Sequence, residues 1–348
     1  MRSRGPCREP QRDRVKCVSC SAEFIFEFIF FCGASAASCL SASRLSFSTQ
    51  PPQARMPAAT PPLVMIFAAS DPTGGAGLQA DVMAVSSMGC HAATVVTGLT
   101  VQDTTGVTDF MAIDADYVDD QARTVLEDMP VAAFKIGVLG DVETVAAVAE
   151  IVSDYPDIPL VLDPVLASGR GDAFADDETL AAIRELLIPQ TTLITPNSFE
   201  ARRLASLADD ADGDESGRHV ATLDACAARL IEWGAEFVLT TGTHENTVEV
   251  VNALYGERDG VVVRLREDAW RRLPGSYHGS GCTLASAIAA LLASGLDIEE
   301  AVREAQEYTW QSLAAGFRPG MGQFLPDRFF WARESEDGKR AERNGRPG

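Results

Sequence analysis

From Leu63 onward, short apolar runs alternate with longer amphipathic ones, and that rhythm limits the fold more than any other feature of the chain. Leu63–Ala69 is unbroken apolar sequence, as a strand covered on both faces requires. A polar, glycine-rich turn follows at Ser70–Gly77, and Leu78–Met88 then carries Leu78, Val82 and Val85 at helical spacing. Further strands are expected at Ala93–Leu99, Val131–Gly137, Leu160–Leu162, Thr192–Thr195, Phe237–Thr240, Val248–Tyr255 and Gly260–Leu265. Helices are expected at Asp116–Met129, Val142–Val152, Asp177–Leu187, Ser198–Leu207, Leu223–Trp233, Gly281–Ala293 and Ile298–Phe317, with a solvated acidic loop at Asp209–Glu215. Alternation of this kind over such a length builds a mostly parallel sheet with helices on both faces.

The first 55 residues do not share this pattern. An Arg-rich start leads into Phe24–Phe31, then into Ser/Ala-rich sequence and Pro51-Pro52. Glu23 and Glu27 interrupt the apolar run, which is also too short to span a bilayer. Residues 1–55 are expected to be a disordered extension, left by a start placed upstream of Met56 or serving as a targeting-like segment. The folded domain is expected over residues 60–331, with a charged, flexible tail at 332–348. A formal net charge of -21 argues against nucleic acid and against anionic membrane as partners. Five of the eight cysteines fall in the first 39 residues; Cys90, Cys226 and Cys282 are widely spaced and odd in number. That is no disulfide framework, and it points to a reducing, cytoplasmic compartment. The pair Cys17 and Cys20 lacks the two further ligands that a structural zinc needs.

In open α/β sheets, ligands bind beyond the carboxyl ends of the strands. Four polar stretches fall at such ends: Ser70–Asp81, Thr97–Thr104, Thr195–Glu200 and Gly279–Cys282. The last opens directly into an Ala/Leu-rich helix. A helix start leaves N–H groups unpaired and carries partial positive charge, so it holds anions. Cys282 falls in the first turn, where the dipole is expected to favour the thiolate. An anion cradle with a proton acceptor inside it suits phosphoryl transfer.

Taken together, Ser70-Asp71-Pro72-Thr73-Gly74-Gly75-Ala76-Gly77-Leu78-Gln79-Ala80-Asp81, Lys135-Ile136-Gly137, Leu162-Asp163-Pro164-Val165 and His278-Gly279-Ser280-Gly281-Cys282-Thr283 resemble one group of kinases. They are the hydroxymethylpyrimidine/phosphomethylpyrimidine kinases of the ribokinase-like superfamily. The resemblance runs over about residues 60–331. It implies a ribokinase-like three-layer α/β/α sandwich with a mostly parallel central sheet. It also implies that Gln102 and Asp81 hold an aminopyrimidine, with Gly75, Ala76 and Val138 around the ring. A Gln amide offers a donor beside an acceptor, which matches a ring nitrogen and its exocyclic amine. Gly279, Ser280 and Gly281 match the family's anion hole, and Cys282 matches its catalytic base. Asn197 matches the superfamily's Asn-x-x-Glu element beside the nucleotide, and Thr241 and Gly242 are expected to touch the nucleotide's phosphates through a hydroxyl and an amide. Glu200 and Asp163 match positions that orient Mg2+ and its waters. Glu200 has a second reading, as a first-turn acid that stabilises its own helix. One departure stands out: many relatives carry Lys where this chain has Thr241. Nearby His244 reads equally as a loop residue or a ligand.

The resemblance implies ATP- and Mg2+-dependent phosphorylation of 4-amino-5-hydroxymethyl-2-methylpyrimidine, first to the monophosphate and then to the diphosphate, for thiamine diphosphate biosynthesis. It also implies a homodimer. A pyridoxine or pyridoxal kinase on the same fold is the nearest alternative; a catalytically idle ligand-binding relative is another.

Overall fold

The computed structural model describes residues 60–167, 174–206 and 222–333. The expectations for residues 1–55, for the acidic loop at 209–215 and for the tail beyond residue 333 lie outside them.

Strand β1 (Leu63–Ser70) is buried along its length apart from Ser70. Its alternate side chains serve different cores: Met65 and Phe67 face one, Val64 and Ile66 the other. This two-sided burial explains the unbroken apolar run. After helix α1 (Gly77–Ser87) come β2 (His91–Asp103), β3 (Gly106–Ala112), α2 (Ala115–Asp128), β4 (Val131–Ile136), α3 (Val142–Ser153) and β5 (Leu160–Leu162). The chain continues through α4 (Asp177–Ala182), β6 (Leu193–Ile194), α5 (Ser198–Ala205), α6 (Leu223–Glu232), β7 (Phe237–Thr240), β8 (Glu249–Arg258) and β9 (Val261–Arg271). Helices α7 (Ser280–Ala293) and α8 (Ile298–Ala314) follow.

The nine strands form one sheet, ordered β3-β2-β1-β4-β5-β6-β7-β8-β9. Neighbours from β2 through β7 run parallel; β3, β8 and β9 join antiparallel. Helices α2, α3, α4 and α6 pack into one core, and α1, α7 and α8 into the other. The result is a three-layer sandwich. Its strand order reverses at β1, because β2 pairs on one side and β4 on the other. A reversal of this kind opens a crevice at the carboxyl ends of the strands.

Strand β3 is absent from the expectations above. It forms a hairpin with β2 at the sheet edge, and β2 itself runs four residues past Leu99 to Asp103. Val101 and Met111 are more than half exposed there, so this pair lacks the buried apolar face that marks a strand in sequence. Strand β9 likewise extends beyond Leu265 to Arg271, carried by its ladder with β8.

Candidate active site

A cavity of about 760 Å³ lies at the carboxyl ends of the central strands. That size suits a small ring and a nucleotide together. At one end stand Gln102 and Val138; at the other, Asn197 and Thr241; Ser280, Gly281 and Cys282 also line it.

Helices α2, α3, α4, α5, α6 and α8 begin with a capping side chain from Asp114, Asp141, Asp176, Asn197, Thr222 and Asp297. Helices α1 and α7 begin with no side-chain cap, and both starts line the cavity. An uncapped helix start inside a cavity is a place for an anion. Gly279 adopts φ 77°, the left-handed conformation that turns the chain sharply into α7. A Cβ on Gly279 would lie 1.9 Å from the Gly75 carbonyl oxygen, so the two glycine turns are pressed together, backbone to backbone.

Beneath α7 lies a charged cluster. The Lys135 ammonium donates to Asp81 Oδ2 at 2.9 Å, with both side chains fully buried. Ser286 Oγ donates to Asp81 Oδ1 at 2.7 Å. Burial alone would push the Lys135 ammonium down, yet Asp81, Cys282 and Asp163 around it hold it above its ordinary value. Asp163 is raised to about 6 by burial, with Lys135 opposing. Its Oδ2 is buried without a hydrogen-bond partner. Glu200 is raised to about 8, by burial and then by the charge of Asp163. Two buried carboxylates, one raised by the charge of the other and one with an orphaned oxygen, form a donor set suited to a divalent cation that keeps most of its waters. No cluster of three or more His, Cys, Asp or Glu side chains able to hold a metal exists among the described residues.

Several expectations need correction. Asp81 does not line the cavity; both its oxygens are taken by Lys135 and Ser286. Gly75 lies behind His278, packed on the Gly279 turn, rather than along the cavity wall. Gly242 is also outside the lining, and its N–H donates to Asn252 Oδ1 at 3.1 Å. Burial and neighbouring carboxylates outweigh the helix dipole at Cys282. The thiol is pushed up to about 12, with burial the largest cause, although Lys135 and the Gly77 N–H favour the thiolate. Glu200 does serve its own helix: Asn197 Oδ1 accepts from the Phe199 and Glu200 amides, and Glu200 Oε2 accepts from the Asn197 N–H at 2.9 Å. That reciprocal cap leaves Glu200 still facing the cavity. Gln102 Nε2 donates to Thr100 Oγ1 at 2.9 Å, which holds the amide in place on the wall.

Two groups escaped the sequence. Asp71 accepts from the Thr73 and Ala76 amides and meets His278 Nε2 at 2.9 Å, across 207 residues of chain. Burial would raise its carboxyl, but the His278 bond and these amides together hold it below its ordinary range. Both residues belonged to quoted stretches, but nothing in sequence pairs them. Arg328, near the chain's end, is 2% exposed and reaches both glycine turns; no sequence signal marked it.

The family model described as phosphomethylpyrimidine kinase matches residues 71–327. A hydroxymethylpyrimidine/phosphomethylpyrimidine kinase of Streptomyces coelicolor is 36% identical over 270 residues, covering 76% of this chain and 94% of that one. Its Mycobacterium tuberculosis counterpart is 38% identical over 268 residues, covering 76% and 93%. Among solved structures, a phosphomethylpyrimidine kinase from Clostridium difficile aligns with TM-score 0.59 at 30% identity, over 72% of this chain and 98% of that one. An ADP complex of Bacillus subtilis pyridoxal kinase aligns with TM-score 0.65 at 26% identity, over 78% and 100%. The family match over most of the chain, the relatives above 30% identity and the fold together show that the chain belongs to the phosphomethylpyrimidine kinase family, on a ribokinase-like three-layer sandwich.

Proposed function

We propose that this chain moves the γ-phosphoryl group of ATP onto the hydroxymethyl oxygen of 4-amino-5-hydroxymethyl-2-methylpyrimidine, and then a second one onto the resulting monophosphate. The observation that carries this reading is the uncapped start of α7, which opens into the cavity that Gln102 also lines, with Cys282 in its first turn. The substrate named for the Streptomyces and Mycobacterium relatives supports it.

The roles divide by place. Gln102, Ala76 and Val138 hold the aminopyrimidine. The N–H groups of Gly279, Ser280 and Gly281 take up charge on the phosphoryl oxygens as the substrate oxygen bonds to phosphorus and the bond to the ADP oxygen breaks. Asn197 and Thr241 meet the nucleotide. Asp163 and Glu200 would hold Mg2+, which when bound neutralises phosphate charge. Cys282 takes the hydroxyl proton. Its thiol is pushed up to about 12, so that task falls to a small thiolate fraction, a strong base kept available by Lys135. A late, loose transfer makes only modest demands on a base.

A second reading, phosphorylation of pyridoxal, is supported by the fold likeness to the Bacillus subtilis pyridoxal kinase. Both substrates are flat heteroaromatic rings bearing a hydroxymethyl group. ADP release with each ring in turn separates the two. We also infer a homodimer, for which the exposed Val101 and Met111 on the β2–β3 edge are suitable contacts. A cytoplasmic location fits with free cysteines at 90, 226 and 282. No described helix is long and apolar enough to cross a membrane.

A further inference from the structure

The segment after α8 returns across the back of the site. There, Phe324 N–H donates to the Ser276 carbonyl and His278 N–H to the Phe324 carbonyl, both at 2.9 Å. Arg328 follows. Its own carbonyl accepts from Ser87 Oγ of α1 at 2.8 Å and from the Tyr308 hydroxyl of α8 at 2.9 Å, so its backbone is fixed to two helices. Its side chain then enters the gap between the two glycine turns. Nε donates to Thr283 Oγ1 at 3.0 Å, Nη1 to the Gly74 carbonyl at 3.3 Å, and Nη2 to the Gly75 carbonyl at 2.5 Å and the Gly279 carbonyl at 3.5 Å. All four acceptors are uncharged oxygens.

Two consequences follow from this geometry. In a planar trans peptide, the C=O of one residue and the N–H of the next point in opposite directions. Drawing the Gly279 carbonyl back toward Arg328 and Thr283 therefore aims the Ser280 N–H away from them, on the side where Ser280 lines the cavity. Second, guanidinium is charged at any working pH, and no carboxylate is among its hydrogen-bond partners above. Its charge acts through the turns, within electrostatic reach of Cys282.

We propose that Arg328 is a positioning residue for phosphoryl transfer: it sets the spacing and peptide orientation of the two glycine turns from behind, and adds a fixed positive charge to the anion hole it never enters. This rests on the reading of the α7 turn as the phosphoryl site.

The test uses Arg328→Ala and Arg328→Lys in the full chain, with ADP release measured at saturating ATP and thermal melts run alongside. Arg328→Ala should lose about a hundredfold in kcat while the pyrimidine KM moves by less than about threefold, because the turn acts mainly in the transition state. Added guanidinium ion should restore about tenfold to Arg328→Ala and nothing to Cys282→Ala. Arg328→Lys keeps the charge but cannot bridge four oxygens, so it should recover only part of the rate. The proposal is overturned if Arg328→Ala stays within about threefold of wild type. It is equally overturned if the loss follows loss of folded protein, guanidinium does not help, and Arg328→Lys behaves as wild type. A wild-type chain that releases no ADP refutes the site reading and this inference with it; an active wild type indifferent at Arg328 refutes this inference alone.

Discussion

Gly279→Ala is the sharpest local perturbation the structure offers, because a second glycine isolates half of its cost. Gly279 has φ 77° and Gly260 has φ 76°. An alanine at either position meets the same dihedral penalty, about 1–2 kcal/mol. The surroundings differ. At Gly260 nothing lies within 4 Å of the added Cβ. At Gly279 it would lie 1.9 Å from the Gly75 oxygen, 2.7 Å from the Gly75 carbonyl carbon and 3.0 Å from Ala76 Cα. All of these are backbone atoms, so no side chain can swing aside. The turns must part by at least about 1 Å, and displacement on that scale costs about a hundredfold in rate. Purified variants should therefore show similar dihedral destabilisation in thermal melts, with a further loss at Gly279. Gly260→Ala should keep wild-type kcat for ADP release, while Gly279→Ala should fall about a hundredfold, equivalent to about 2.7 kcal/mol of barrier. A Gly279→Ala enzyme within about threefold of Gly260→Ala would refute the claim that the contact between the turns sets the site.

Cys282→Ala should lower kcat by about a hundredfold or more with little change in pyrimidine KM; equal activity would make the thiol structural. A thiol pushed up to about 12 is protonated below that value, so the thiolate fraction rises with every step in pH up to it. With chemistry rate-limiting, kcat should climb through the neutral and alkaline range in wild type and lose that slope in Cys282→Ala; a flat wild-type profile would remove the base assignment. Gln102→Ala should raise pyrimidine KM by about tenfold to a hundredfold and leave kcat nearly intact, and an unchanged KM would sink its recognition role. Asp163 and Glu200 are raised to about 6 and about 8 in the folded protein, so their contribution to stability is full below the ordinary carboxylate range and is lost as pH rises through those values. Metal-free melting temperature should fall over that window, and Mg2+ with nucleotide should raise it more at about pH 9 than at about pH 5. An Mg2+ effect independent of pH would separate these carboxylates from the metal.

The central fold was legible because β1 and β5 are buried on both faces and leave unbroken apolar runs, and β4 is apolar apart from Lys135. The β2–β3 edge was not, since Val101 and Met111 point to solvent and no periodicity reports a core. Within the site, the glycine turn before α7 and Gln102 stood out because backbone approach and amide recognition demand particular residue types. The role of Asp81 was misread because its partners, Lys135 and Ser286, lie 54 and 205 residues away. Cys282 shows the limit of a local rule. The helix start that favours thiolate is visible in sequence; the burial that opposes it comes from β4 and β5 packing beneath it. Arg328 was silent for the same reason: three of its four acceptors are carbonyl oxygens that any sequence possesses, and the fourth, the Thr283 hydroxyl, lies 45 residues away.

The central claim is two successive phosphoryl transfers to one aminopyrimidine. It is tested most directly by counting ADP released per hydroxymethylpyrimidine consumed with excess ATP, beside a parallel reaction with pyridoxal. Two equivalents of ADP from the pyrimidine, with slower turnover of pyridoxal, is the predicted result. Release that stops at one equivalent, or faster turnover of pyridoxal, would contradict it.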